Sequence, residues 1–195
     1  MAGNVTVAQD ANLGGTYNYN QIFTDAAINS LTVTNGVNAQ FGNSLVATVA
    51  GKSLTFADGF YQISDSGIDG STTVSGWDGI NIGGTDGRAN VKLAGDLTMA
   101  SADKEIKINK GSTLDTAEVE NINILGSIVN AGDLNLVRPG NLADDKNNTT
   151  TIAGNYTGEG NSSITLKVDT ANNISDKVII NGDVKGSSDL IVKIT

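Results

Sequence analysis

The sequence predicts an all-β fold: a single-stranded solenoid of the parallel β-helix kind, in which short strands stack turn upon turn. Three observations predict it. Apolar residues recur at i and i+2 in short runs, which places them on one face of a strand. Each run is bounded by Gly, Asn, Asp or Ser, residues that supply tight turns. The runs also return at intervals of about twenty residues or a little more, within the range of repeat folds.

The pairs that carry the alternation are Leu31/Val33, Leu54/Phe56, Ile80/Ile82, Val91/Leu93, Leu97/Met99, Ile106/Ile108, Ile122/Ile124 and Leu134/Leu136. Leu93, Leu114 and Leu134 follow comparable polar turns at spacings of 21 and 20 residues; Val74 to Leu97 is 23, and Ile82 to Ile106 is 24. Such irregularity is expected where turns accept insertions and inward positions stay in register. An antiparallel sandwich or jelly roll, with turns every 8–12 residues or about that, is the alternative left open by spacing alone.

Composition agrees with a narrow core. Of 195 residues, 38% are hydrophobic and only 5% aromatic, so side chains that fill a wide core are scarce. Gly is abundant at 24 residues, whereas a single Pro argues against a Pro-rich linker or collagen. The net charge is −9. Nucleic-acid binding requires clustered Lys and Arg to displace counterions, and no such cluster occurs, so nucleic acid is not an expected partner. The absence of His and Cys removes Ser-His-Asp and Cys-His chemistry and the commonest metal ligand. No cofactor or metal is expected. The lack of Cys fits a reducing cytosol or a bacterial chain exported unfolded. No apolar run is long enough for a membrane-spanning helix. Met1-Ala2-Gly3-Asn4 lacks the features of a signal peptide, and reads as an added Met before a mature or excised piece.

Four regions follow in order. Residues 1–29 are expected to cap the first open turn, which would otherwise invite edge-to-edge association. Within them, Asn20–Ile28 carries Ile22, Phe23, Ala26 and Ala27 at helical spacing, so a short helix competes with an irregular cap. Residues 30–137 are the solenoid turns. Residues 138–148 hold the only Pro, few apolar residues and a charge cluster, and read as a surface loop. Residues 149–195 form a distinct C-terminal module.

That module contains Gly154-Asn155-Tyr156-Thr157-Gly158, then a strand pattern over Asn161–Val168, then Ser175-Asp176-Lys177-Val178-Ile179-Ile180-Asn181-Gly182, and finally Gly186-Ser187-Ser188 before Leu190–Ile194. In this order the segments resemble the pertactin-like C-terminal passenger region of bacterial type V autotransporters. The close match covers about 45 residues, and Gly126–Leu136 resembles one of the last regular turns of that family. The resemblance implies a right-handed parallel β-helix and an autochaperone role, in which the C-terminal turns fold first and template those before them. It implies export through a downstream outer-membrane β-barrel of the same precursor, and display at the bacterial surface or secretion. Adhesion through a host receptor or self-association is the function it suggests. Gly154, Asn155, Tyr156, Gly158, Asp176, Lys177 and Gly182 are the residues that carry the motif. The glycines are expected to supply positive-φ turns, Tyr156 to cover the end of the apolar stack, and Asp176 with Lys177 to pin a turn or form a solvated ion pair.

A carbohydrate-active or carbohydrate-binding β-helix, of polysaccharide-lyase or phage-fibre type, is the competing function. Its candidate residues are Asp65, Asp69, Asp78 and Asp86, with Arg88 as a basic partner and Trp77 as a stacking platform, although core or turn packing is the preferred reading of Trp77. Gly83-Gly84-Thr85-Asp86-Gly87 has the look of one Ca²⁺-binding nonapeptide, but the tandem repetition such a site requires is missing, and ordinary turn chemistry is the preferred reading of it and of the aspartates.

Overall fold

The computed structural model describes residues 3–8, 17–24, 28–34, 36–47, 50–63, 74–138 and 147–195. Strands β1 (Gly3–Ala8), β2 (Tyr17–Thr24), β3 (Ile28–Thr34) and the long β4 (Gly36–Ala47) open the chain. Four turns of three short strands follow. They are β5 (Ser53–Phe56), β6 (Gly59–Ile63) and β7 (Val74–Trp77); β8 (Gly79–Ile82), β9 (Ala89–Leu93) and β10 (Leu97–Met99); β11 (Glu105–Ile108), β12 (Thr113–Asp115) and β13 (Asn121–Leu125); β14 (Ser127–Asn130), β15 (Asp133–Asn135) and β16 (Thr149–Ile152). The C-terminal turns are β17 (Tyr156–Gly158), β18 (Ser163–Asp169), β19 (Ile174–Ser175) and β20 (Lys177–Ile180), then β21 (Val184–Gly186) and β22 (Asp189–Ile194).

The strands stack into a parallel solenoid. One face is the eight-stranded sheet β1-β3-β5-β8-β11-β14-β17-β21. The second sheet bends through β4, whose first half pairs with β6 and whose second half pairs with β7. It therefore supplies two faces, β6-β9-β12-β15-β18-β22 and β7-β10-β13-β16-β20. Among the described residues the pairings are parallel apart from the short β18–β19 hairpin.

Stacking converts sequence alternation into ladders. On the first face Leu31, Leu54, Ile80, Ile106, Ile128 and Tyr156 lie in register. On the second, Tyr61, Val91, Leu114, Leu134 and Ile164 do so. On the third, Val74, Leu97, Ile124, Ile152 and Ile180 complete the tube. Most of these residues are fully buried and belong to one core. Each contributes about 1.5–3 kcal/mol through removal of apolar surface from water. The widest side chains, Trp77, Tyr61 and Phe56, gather in a single turn, where the Phe56 and Tyr61 rings meet at 5.0 Å.

Two expectations are corrected. Of the Asn20–Ile28 stretch read as a possible helix, residues 20–24 belong to strand β2, paired in parallel with β4, and Ile28 begins β3; residues 25–27 lie outside the described residues. A neighbouring strand edge offers every backbone group a partner, and this outweighs a short helical pattern. The spacing test also mixes right and wrong pairs. Val74 meets Leu97 and Leu114 meets Leu134, but Leu114 stacks on Val91 rather than Leu93, and Ile106 on Ile80 rather than Ile82.

The ladders run across the boundary at 138–148. Arg138 anchors the start of that tract by donating to the carbonyls of Ala117 and Glu118, at 3.3 and 2.7 Å; residues 139–146 lie outside the described residues. At the far end the last strands leave apolar side chains in solvent: Val184 is 64% exposed, Leu190 62% and Ile194 72%.

Candidate functional site

The sequence motif of the C-terminal module maps onto a corner where the third face passes to the first. Gly126, Gly154 and Gly182 stack there, with Gly154 N–H donating to Gly126 O at 3.0 Å and Gly182 N–H to Gly154 O at 3.1 Å. The next residue of each turn extends the chain of hydrogen bonds. Ser127 Oγ donates to Ala102 O at 2.8 Å and accepts from Asn155 N–H at 2.9 Å, and Asn155 Oδ1 accepts from Asp183 N–H at 2.8 Å. Asn155 is thus a turn-to-turn clasp made by a side-chain amide.

The glycines are needed for a different reason from the one expected. None of Gly154, Gly158 and Gly182 has a positive φ. A β-carbon on Gly154 would lie well inside 3.0 Å of Ala102 O, Ser127 Oγ and Gly126 O; one on Gly182 would meet Asn155 Oδ1 and Gly154 O equally closely. Gly158 faces Ser187 O and Ser188 Oγ in the same way. Close approach of successive turns, rather than backbone conformation, excludes a side chain here.

Tyr156 does not cover the end of the stack. It occupies an inward ladder position, is 3% exposed, and is followed by Val184 one turn on. Its hydroxyl accepts from Asn130 Nδ2 at 2.9 Å and shares a 2.8 Å hydrogen bond with Ser188 Oγ, which meets Ser162 Oγ at 2.7 Å. Asn130 is fully buried, and occupies the ladder position held upstream by Val33, Phe56, Ile82 and Ile108. Its Nδ2 also donates to Ser163 O at 2.9 Å, and its Oδ1 accepts from Gly132 N–H at 3.0 Å. The interior therefore changes from apolar to hydrogen-bonded over the last turns.

Asp176 is a second buried clamp, and its partner is not Lys177, which is exposed. The carboxylate accepts from Asn148 N–H at 2.8 Å and from Lys167 N–H at 2.7 Å, while Asp176 N–H donates back to Lys167 O at 2.9 Å. Asn148 Nδ2 adds a 2.9 Å bond to Leu136 O. One side chain thus ties β18, the entry to β16 and the entry to β20. The ion-pair expectation for Asp176–Lys177 is replaced by this arrangement, because a carboxylate among converging backbone N–H groups gains more than it would from an exposed ammonium.

The carbohydrate candidates do not converge as one set. Trp77 is fully buried in the core and offers no stacking face. Asp78 bridges to Lys104 Nζ at 2.7 Å and accepts from Gly51 N–H. Those two interactions, the Lys104 hydrogen bond foremost, hold its carboxyl below the usual range. Asp86 and Arg88 instead line a separate depression with Asn81, Asn109 and Lys110. Asp65 and Asp69 lie outside the described residues. Sequence reasoning missed the buried polar residues Asn130, Asn148, Thr116 and Thr150, the last two joined at 2.7 Å. It also missed Asp115, 3% exposed, whose carboxyl is pushed up by burial against the opposing hydrogen bond from Ala117 N–H. The one available signal was a polar residue at the apolar phase of an alternating run, as in Ile128-Val129-Asn130.

No family model matches this chain, and neither a curated protein nor a solved structure matches it.

Proposed function

We propose that the chain is a non-enzymatic passenger segment of a bacterial type V autotransporter, a surface stalk whose C-terminal turns act as the folding module. The observation that carries this reading is the pair of buried clamps, Asn130–Tyr156–Ser188 and Asn148–Asp176–Lys167, which tie the C-terminal turns by side-chain hydrogen bonds, with Asn130 standing where Val33, Phe56, Ile82 and Ile108 stand upstream. A stack with one pre-locked end adds each further turn to an existing edge, which lowers the entropic cost of non-local pairing. The partner is then the outer-membrane β-barrel of the same precursor, and the location is the bacterial surface, with a host receptor or self-association as the target of the polar faces.

The reading is tested on the gene and on intact cells. The reading frame beyond Thr195 should encode alternating strands of about ten residues, in the even number typical of outer-membrane barrels. Protease added to intact cells should remove the solenoid. A frame lacking such strands, or a solenoid cleaved only after lysis, overturns the proposal.

A further inference from the structure

Of the three glycines stacked where the third face passes to the first, only the last follows an amide side chain: the corners read Leu125-Gly126, Ala153-Gly154 and Asn181-Gly182. Asparagine before glycine carries latent chemistry. The glycine nitrogen can close a five-membered ring on the asparagine side chain, and no β-carbon obstructs its approach. Hydroxide takes the Gly N–H proton and the nitrogen attacks Asn Cγ. A C–N bond forms, the Cγ–Nδ2 bond breaks, and ammonia leaves. Water then opens the cyclic imide at either carbonyl. Opening at Cγ gives aspartate. Opening at the main-chain carbonyl gives isoaspartate, whose main chain runs through Cβ and Cγ and is longer by a carbon. Water and hydroxide are the only co-reactants.

The fold leaves Asn181 exposed but ties down the nitrogen that would attack it. Asn181 N–H donates to Ile152 O at 2.9 Å, Gly182 N–H to Gly154 O at 3.1 Å, and Asp183 N–H to Asn155 Oδ1 at 2.8 Å. Three consecutive N–H groups thus point at the preceding turn. The proton that must leave is held in a hydrogen bond, and the peptide that must rotate is fixed on both sides. Ring closure therefore waits until this corner opens. Three hydrogen bonds at their ordinary net worth slow it by about a hundredfold relative to the unfolded chain.

The two products fare differently once formed. Aspartate keeps the normal main chain and places its carboxylate in solvent. The extra carbon of isoaspartate falls between the N–H groups that meet Ile152 O and Gly154 O. The corner has no slack for it: even a β-carbon on Gly182 would lie well inside 3.0 Å of Asn155 Oδ1 and Gly154 O.

We infer that Asn181 is a self-modification site, a one-way marker of the time the last glycine corner spends open. Chains with the corner closed keep their asparagine. Chains with it open pass through the imide to isoaspartate and lose the close approach of the last turn to the one before it. The site is independent of the autotransporter reading, because it needs no partner and is read on the purified chain.

The test is incubation of the full chain at mildly alkaline pH, in buffer and in guanidinium chloride, followed by tryptic digestion and mass spectrometry. Cleavage after Lys177 and Lys185 yields residues 178–185, in which Asn181 is the only side-chain amide. Conversion should be about a hundredfold slower in buffer than in guanidinium. Asn155→Ala, which removes the acceptor of Asp183 N–H, should raise the rate in buffer by about fivefold and leave the rate in guanidinium unchanged. Isoaspartate chains, refolded and purified by ion exchange, should lose amide-exchange protection in β20 and β21, whereas the Asn181→Asp variant should keep it. Equal rates in buffer and guanidinium, no conversion in guanidinium, a native rate indifferent to Asn155→Ala, or full protection in the isoaspartate chains would each overturn the inference. The comparison of buffer with guanidinium uses the unaltered chain, so it decides the matter if Asn155→Ala fails to fold.

Discussion

Replacing Gly154 by alanine separates two reasons for a glycine. If φ were the reason, the cost would be that of a left-handed residue, about 1–2 kcal/mol. The geometry gives another answer. The new β-carbon would lie well inside 3.0 Å of Ala102 O, Gly126 O and Ser127 Oγ. Two of these are main-chain atoms held in the stack, and the third is fixed by its bonds to Ala102 O and Asn155 N–H. Relief requires neighbouring turns to separate, so the cost belongs at or above the top of the range for overpacked sites, about 3 kcal/mol or more. Gly160 is the internal control. Its φ is +62° and a β-carbon there meets nothing within 4 Å, so Gly160→Ala should cost about 1 kcal/mol. Urea unfolding followed by circular dichroism reads both. With a slope of about 2 kcal/mol per molar, the midpoint should fall by about 1.5 M for Gly154→Ala and about 0.5 M for Gly160→Ala. A Gly154→Ala midpoint no lower than that of Gly160→Ala refutes the close-packing argument.

Four further outcomes follow from the same contacts. Asp176→Ala removes the acceptor of two backbone N–H groups and should cost about 2–5 kcal/mol in urea unfolding, whereas Lys177→Ala should change stability by less than about 0.5 kcal/mol. Tyr156→Phe keeps the ring but loses the hydroxyl between Asn130 and Ser188, and should cost about 1 kcal/mol by the same measurement. Asp78 titrates below its ordinary 3.8 in the fold, so its contribution is present above that value and lost as pH falls through the lowered one; Asp78→Asn should flatten the acid limb of a melting-temperature profile. Asp115 has the opposite sign: its contribution is present below 3.8 and lost as pH rises through its raised folded value, so Asp115→Asn, which keeps an oxygen for Ala117 N–H, should raise the melting temperature at pH 7.

Much of the fold was legible because burial alternates along the strands. Leu54/Phe56, Ile80/Ile82, Leu97/Met99 and Ile106/Ile108 all point inward, as their i, i+2 spacing requires. Register was less legible. A shift of two residues keeps the same face inward, so nothing in the alternation distinguishes Leu93 from Val91 as the partner of Leu114. The C-terminal motif was visible as a string of residues but not as an arrangement. Ser-Asp-Lys reads as surface charge, and only the return of β18 and Asn148 around Asp176 buries it. Asn130 likewise reads as a turn residue before Ala131-Gly132, although its amide is satisfied inside the tube by Tyr156 and Ser163. Of the depression beside Arg88 the sequence offered Asp86, Arg88 and the Gly83–Gly87 run, but not Asn109 and Lys110, which the next turn brings beside them.

The central claim is that the C-terminal turns form first and template the rest. Pulse-labelled hydrogen exchange during refolding of the full chain, read by mass spectrometry, tests it most directly. Protection should appear first in β16 to β22, Thr149–Ile194, and then spread towards β5. Earlier protection of β5 to β10, or simultaneous protection throughout, would contradict it.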